Sequence, residues 1–142
     1  YQNNLIELVD KDTDAFNKIM SAYGLAKETK EEQEKRHLAI QEATKNAILI
    51  PFKVMQTAAD SMEVMLAMAE NGNPNSITDA GVGALCIRTA VIGAFLNVKI
   101  NCGDYDDKEF VKDILSKGEK IVSETCNLEK NILNIVNNKI EK

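Results

Sequence analysis

The chain contains no tryptophan, one histidine and three cysteines among its 142 residues. Because His37 is the only histidine, a Ser-His-Asp set cannot form elsewhere, and the charged segment around it predicts a solvent-exposed side chain rather than a metal or catalytic site. Cys86, Cys102 and Cys126 are odd in number and lack paired metal-ligand spacing. We therefore expect reduced thiols, no metal ion and a cytoplasmic protein.

The chain also has little positive charge and no long uninterrupted apolar segment. Its 17 Lys and Arg against 22 Asp and Glu give a formal charge of -5, which argues against a nucleic-acid surface. Residues 80–100 approach membrane-spanning length, but Arg88 lies among them, at a cost of about 2.5–3.5 kcal/mol for insertion, and Gly81, Gly83 and Gly93 interrupt them. We predict no membrane span but a buried central helix whose small residues allow close packing.

Apolar residues recur at three- and four-residue spacing, and no alternating strand pattern is present. This pattern predicts an all-α fold in one domain that spans all 142 residues. The first helix should cover residues 5–23 and end in a left-handed cap at Gly24. Thr29 and Glu32 are spaced as a capping box for the second helix, which Pro51 should kink or restart.

Two more helices follow after the Asn-Gly pair at residues 71–72. Ser76 and Asp79 are spaced as a capping box for the central helix, which should reach about Asn101, and Asp106 with Glu109 for the last helix. The last helix, with about thirty residues, would span roughly 45 Å. A helix of that length outruns a small bundle, so we predict an elongated bundle that forms a homodimer.

Asp12 is the most informative single residue, because it falls on the apolar stripe of the first helix. A carboxylate on such a stripe is taken partly out of water, which disfavours its charged form and raises its pKa. Asp10 and Asp14 fall on other faces, so this is not an acidic patch that spills inward. We therefore expect Asp12 to serve function rather than packing, among the stripe residues Leu5, Leu8, Val9, Phe16, Ile19, Met20 and Tyr23.

Four other polar residues also lie in apolar surroundings. Asn97 and Asn101 share one face near the end of the central helix, Arg88 lies in its interior, and Gln41 lies on an apolar part of the second helix. Each alone has an ordinary structural explanation, as a satisfied core amide or an arginine with a buried stem. Together they indicate a pocket.

An ordered series of motifs resembles the cyclodeaminase/cyclohydrolase family. This family includes the cyclodeaminase half of formiminotransferase-cyclodeaminase and the stand-alone methenyltetrahydrofolate cyclohydrolases. The chain has Ala26 where the family often has proline, and the family's Gly-rich, Ala-rich first helix is absent ahead of Tyr1. The motifs lie at residues 9–16 (VDKDTDAF), 22–27 (AYGLAK), 39–43 (AIQEA), 50–51 (IP), 72–73 (GN), 76–84 (SITDAGVGA) and 93–101 (GAFLNVKIN).

The resemblance implies an all-helical dimer that acts on tetrahydrofolate one-carbon derivatives, with no cofactor beyond the folate substrate. It assigns the proton donor and acceptor to Asp12, and a lysine and an arginine of the family to Lys27 and Arg36. Those two residues lie in a charged turn that is typical of a solvated helix face, but they would attract an anionic ligand if the turn borders the pocket. The family's polar central-helix positions correspond to Asp79, Asn97 and Asn101.

Two reactions and one non-enzymatic alternative remain open at this point. The reactions are hydrolysis of 5,10-methenyl- to 10-formyltetrahydrofolate and cyclisation of 5-formiminotetrahydrofolate with release of ammonia. No formiminotransferase domain is fused in this sequence, which favours the cyclohydrolase. In the alternative, the chain is a helical scaffold or interaction module, and Asp12 is a buried polar residue that serves specificity of packing.

Overall fold

The computed structural model describes residues 1–141, which form five α-helices and one short 3₁₀ turn without any strand. The all-α prediction is confirmed. The helices are α1 (Gln2–Tyr23), α2 (Lys30–Asp60), α3 (Met62–Asn71), α4 (Ile77–Cys102) and α5 (Lys108–Ile140), with the 3₁₀ turn at Pro74–Ser76.

The capping box at the start of α2 is confirmed. The Thr29 hydroxyl accepts from the Glu32 backbone N–H at 3.2 Å, and the Glu32 carboxylate accepts from the Thr29 N–H at 2.9 Å. These backbone donors stabilise the charged carboxylate, and the bond from Thr29 contributes most to lowering the pKa of Glu32. The local sequence alone therefore sets where α2 begins.

The other three predicted caps are wrong. Ser76 stands at the N-cap position but makes no side-chain cap bond, because its ψ of 19° is outside the extended region that capping residues adopt. The cap of α5 is Asp107, one residue later than predicted, whose carboxylate accepts from the Phe110 N–H at 3.0 Å. Gly24 has a φ of -77°, so α1 ends without a left-handed residue.

Pro51 lies inside a continuous helix. Of the two outcomes predicted at Pro51, the restart is wrong, because α2 runs on to Asp60 and the break falls at Ser61. The kink stays a prediction. A proline removes the donor for the carbonyl four residues earlier, which here is that of Ala47. That carbonyl accepts a hydrogen bond from Asn101 Nδ2 on α4 at 2.9 Å. A tertiary contact thus compensates for the local defect.

The apolar core consists of two clusters that both involve α4 and α5. One joins them to α2 around Ile48, Met55 and Val91, and the other joins them to α3 around Met62 and Ile132. All five of these side chains are fully buried. The helices α4 and α5 therefore support both α2 and α3, whereas α1 packs on α2.

Small residues bring the helices close together at two points. A Cβ on Gly83 would overlap the Met65 sulfur, and a Cβ on Gly118 would overlap the Phe95 ring. The predicted close packing along α4 is therefore confirmed at Gly83. At Gly118 the close approach comes from α5, where the sequence analysis did not predict it.

The central helix α4 is less enclosed than predicted. It packs against α2, α3 and α5, but the remaining face leaves Val82, Leu85, Leu96 and Ile100 exposed. By length and composition the segment Pro74–Cys102 would also suit a membrane span. An 18-residue window within it has a mean hydropathy of 1.7, and 33% of that window is buried. Core helices of bundles share these properties. Within residues 1–141 of this single chain, no other helix covers the exposed apolar face of α4.

Candidate functional site

The helix α1 has two apolar faces rather than the single predicted stripe. Leu8, Ala15 and Ala22 are buried on the side that packs against α2. The second set, on an adjacent side, is exposed and consists of Ile6, Val9, Phe16, Met20 and Tyr23. The prediction of one stripe is wrong because three- and four-residue spacings on a long helix can belong to two adjacent faces.

Asp12 lies four residues after Leu8 and three before Ala15, so it shares the side of α1 that faces α2. Its side chain is nevertheless exposed. The expectation of a partly buried carboxylate is therefore wrong for the isolated chain. The reason is that α2 covers only one side of α1, and Val9 and Phe16, near Asp12 in sequence, are 65% and 61% exposed.

The packing of α1 on α2 places Asp12 near the middle of α2. At one end of the pair, Arg36 donates to the Tyr23 carbonyl, and at the other end Tyr1 and Asp60 line the same cavity. The two helices are therefore antiparallel. Extending this register along α1 brings Asp12 about level with residues 47–49 of α2.

The end of α4 reaches the same part of α2. Asn101 bonds to the Ala47 carbonyl, and Asn97 lies one helical turn earlier on α4 with an exposed side chain. Asp12 and Asn97 thus lie on two different helices near one level of α2. Among the predicted site residues on other helices, Asn101 contacts the middle of α2 directly, and Asp12 and Asn97 lie near the same level.

Gln41 uses both ends of its amide to hold the loop between α4 and α5. Its Nε2 donates to the Asp104 carbonyl at 3.0 Å, and its Oε1 accepts from the Asp106 N–H at 2.9 Å. Beside it, His37 Nε2 lies 2.8 Å from an Asp106 carboxylate oxygen, and both side chains are exposed. The predicted exposure of His37 is confirmed, and Gln41 has the contacts of a residue that fixes a loop.

The basic residues lie at the other end of α1 from Tyr1. The Arg36 guanidinium donates through Nε and Nη2 to the Tyr23 carbonyl at 3.3 and 3.2 Å and lies over the Tyr23 ring. Lys27 is exposed in the connecting loop, where its carbonyl accepts from Gln33. A groove of about 350 Å³ opens between α1 and α2 near this end, lined by Lys18, Ser21, Ala22, Leu25, Ala39, Glu42, Ala43 and Asn46.

The fold does not bring Asp79 and Arg88 into this region. Asp79 is exposed in the first turn of α4, about 27 Å along the helix from Asn97 at 1.5 Å per residue. Arg88 faces α5, where its Nη1 lies 3.4 Å from an oxygen of Glu129. The predicted pocket of four polar residues is therefore divided. Asn101 lies at the end of α4 with Gln41 of α2 beside it, whereas Arg88 lies near the middle of α4.

Glu129 is a buried acid that the sequence analysis missed, with only 5% of its surface exposed. It falls between the buried residues Thr125, Ile132 and Val136 of α5 at three- and four-residue spacing. The criterion that selected Asp12 would have selected it too.

A cavity of about 570 Å³ lies between α2 and α5 and contains none of the predicted site residues. It is lined by Tyr1, Lys53, Gln56, Ala59, Asp60, Met62, Glu63, Ile121, Glu124, Thr125 and Leu128.

The fold places this chain in the class of all-α helical bundles, with an acid on the first helix and basic residues at the turn after it. Comparison with known sequences identifies the family. The family model described as formiminotransferase-cyclodeaminase matches residues 1–120. The chain therefore belongs to the formiminotransferase-cyclodeaminase family, which confirms the resemblance of its motifs.

Individual relatives agree with this assignment. The methenyltetrahydrofolate cyclohydrolase of Methylorubrum extorquens is 34% identical over 139 residues, which are 98% of this chain and 67% of that protein. The formimidoyltransferase-cyclodeaminase of Rattus norvegicus is 36% identical over 106 residues, which are 75% of this chain and 20% of that protein. The chain thus spans about two thirds of the first relative and a fifth of the second.

A solved structure has the same fold. The crystal structure of formiminotetrahydrofolate cyclodeaminase from Thermotoga maritima matches 94% of this chain and 63% of that chain, with a TM-score of 0.79 and 25% sequence identity. The helix order of the bundle is therefore that of a known cyclodeaminase.

Proposed function

We propose that this chain belongs to an enzyme of tetrahydrofolate one-carbon metabolism that acts at the carbon joining two folate nitrogens. The observation that carries the proposal is the match of 98% of the chain to a methenyltetrahydrofolate cyclohydrolase at 34% identity. Relatives named formimidoyltransferase-cyclodeaminase support the same substrate class. Because the match to the cyclohydrolase covers more of the chain, hydrolysis of the methenyl form is the first reaction to test.

Asp12 is the proposed general acid and base. Hydrolysis of the methenyl form needs a water to lose a proton and a ring nitrogen to gain one, and cyclisation of the formimino form needs a proton for the departing ammonia. One carboxylate beside the reacting carbon can serve each step, and such proton transfer contributes about 10²–10⁴ in rate. Its position on α1 level with the middle of α2, and its family match, support this role.

The remaining site residues are proposed to bind the substrate. Lys27 and Arg36 would attract the anionic glutamyl tail of folate, single or polyglutamylated, because they lie at the same end of the α1–α2 pair. The Arg36 bonds to Tyr23 use Nε and Nη2 and leave Nη1 for an anion. Asn97, exposed on α4, is proposed to contact the pterin edge, with Gln41 in a supporting position that holds the loop after α4.

We further propose that the working protein is a homodimer. Exposed apolar side chains cover one side of α1 and one side of α4, including Phe16, Met20, Leu96 and Ile100. A second copy packed there would exclude water from the region around Asp12. Light scattering across a range of protein concentrations tests this, and a monomer at all of them would contradict it.

The reaction is tested by adding the protein to methenyltetrahydrofolate and following its near-ultraviolet absorbance. The proposal predicts a faster loss of absorbance than in buffer alone at the same pH. A parallel assay with 5-formiminotetrahydrofolate measures released ammonia, which separates the two reactions. If the protein accelerates neither reaction, the chain is a helical scaffold rather than an enzyme.

A further inference from the structure

Asn101 bonds to the one carbonyl of α2 whose usual backbone donor is removed by a proline. Each carbonyl in an α-helix normally accepts from the backbone N–H four residues later, and for Ala47 that residue is Pro51, which has no N–H. Asn101 Nδ2 donates to the Ala47 oxygen at 2.9 Å. Ala47 and Pro51 are both buried, so water has little access to this carbonyl. The side chain of α4 thus supplies the donor that α2 lacks.

A second side-chain amide links the same region, this time from α2 to the backbone just after α4. Gln41, on α2, bonds to the carbonyl of Asp104 and the N–H of Asp106, just after α4 ends. The end of α4 is therefore held to α2 on both sides of the Cys102–Gly103 helix end. With both amides in place, the Pro51 segment of α2 has a fixed position relative to α4.

We propose that Asn101 is a positioning residue, which replaces the donor removed by Pro51 and so holds the middle of α2 at the level of Asp12. It does this in place of the direct substrate contact that its family position suggests. The claim about catalysis rests on the proposed function, whereas the pairing of Asn101 with Pro51 does not. Turning Nδ2 wholly towards a substrate would leave the buried Ala47 carbonyl without this donor, which is costly; the second Nδ2 hydrogen stays free, so the variants below separate the two roles.

Unfolding of four proteins tests the pairing: the wild type, Asn101→Ala, Pro51→Ala and the double variant. Asn101→Ala should raise the unfolding equilibrium constant by roughly 5- to 100-fold, because the Ala47 carbonyl loses its only donor. In the Pro51→Ala background the helix regains a backbone N–H for that carbonyl. There the same substitution should have a much smaller effect, and equal effects in the two backgrounds would overturn the pairing.

Asn46→Ala is a matched control for this cycle. Asn46 Nδ2 also donates to a helix carbonyl, that of Glu42 at 3.2 Å, but the backbone N–H of Asn46 itself serves the same carbonyl. Its removal should therefore have the same small effect on stability with or without Pro51. A coupling to Pro51 as large as that of Asn101 would show that the cycle reports a general change in α2, and would overturn the pairing.

Activity of the same variants separates positioning from substrate contact. If Asn101 positions α2, Asn101→Ala should lower kcat by about 10- to 100-fold with KM little changed, and Pro51→Ala should restore kcat in the double variant. If Asn101 contacts the folate, the loss and a raised KM should persist in the double variant, which would overturn the positioning role. An inactive wild type would refute the proposed function and leave the stability cycle to decide the pairing.

Discussion

Replacing Arg88 by methionine should destabilise the bundle through Glu129, its buried partner on α5. Glu129 is 5% exposed, and its oxygen lies 3.4 Å from Arg88 Nη1. Breaking a fully buried pair costs about 3–5 kcal/mol. The Arg88 side chain is 43% exposed, so water can approach this pair and we expect a smaller loss, about 2 kcal/mol. With a urea m-value of about 2 kcal/mol/M, the unfolding midpoint should fall by about 1 M.

The assay is urea unfolding followed by far-ultraviolet circular dichroism, since the chain has no tryptophan. The double variant Arg88→Met with Glu129→Leu should recover most of the loss, because no buried charge remains without a partner. Lys117→Met removes an exposed ion pair with Asp113 and should change the free energy of unfolding by less than about 1 kcal/mol. If Arg88→Met behaves like Lys117→Met, Glu129 does not depend on Arg88 and the reasoning is refuted.

Two further predictions concern packing and pH. Gly118→Ala should lower the free energy of unfolding by about 1–3 kcal/mol, because its Cβ would overlap the Phe95 ring, and Phe95→Leu should relieve part of that loss in thermal unfolding. Backbone donors at the start of α2 lower the folded-state pKa of Glu32, so its contribution to stability is present above pH 4.5 and is lost as pH falls through the folded-state pKa. Glu32→Ala should remove that part of the pH dependence, and an unchanged acid profile would contradict this.

The sequence predicted where helices form better than it predicted the contacts between them. The capping box at Thr29 and Glu32 involves residues three apart, so local chemistry alone determines it. Pro51 shows the limit of local rules, since the carbonyl that it leaves without a backbone donor is served by Asn101, fifty residues later in the chain. That contact depends on how α4 packs on α2, which no local pattern contains.

The site was predicted only in part for a similar reason. Periodicity put Asp12 on the same side of α1 as Leu8, which is buried, but it could not tell which apolar face of α1 would be covered. The covering of a face depends on other helices or on another copy of the chain. Gln41 and Arg88 were singled out as polar groups in apolar surroundings, but their partners, in the loop at residues 104–106 and at Glu129, became visible only in the folded chain.

The most direct test of the central claim compares Asp12→Asn with Asp10→Asn in the methenyltetrahydrofolate absorbance assay. Both replace an exposed aspartate of α1 with its amide, so their effects on folding should be alike by circular dichroism. The account predicts that Asp12→Asn loses about 10²–10⁴ of the enzymatic rate, because the amide cannot exchange a proton, while Asp10→Asn stays near the wild type. A near-normal rate for Asp12→Asn would contradict the account.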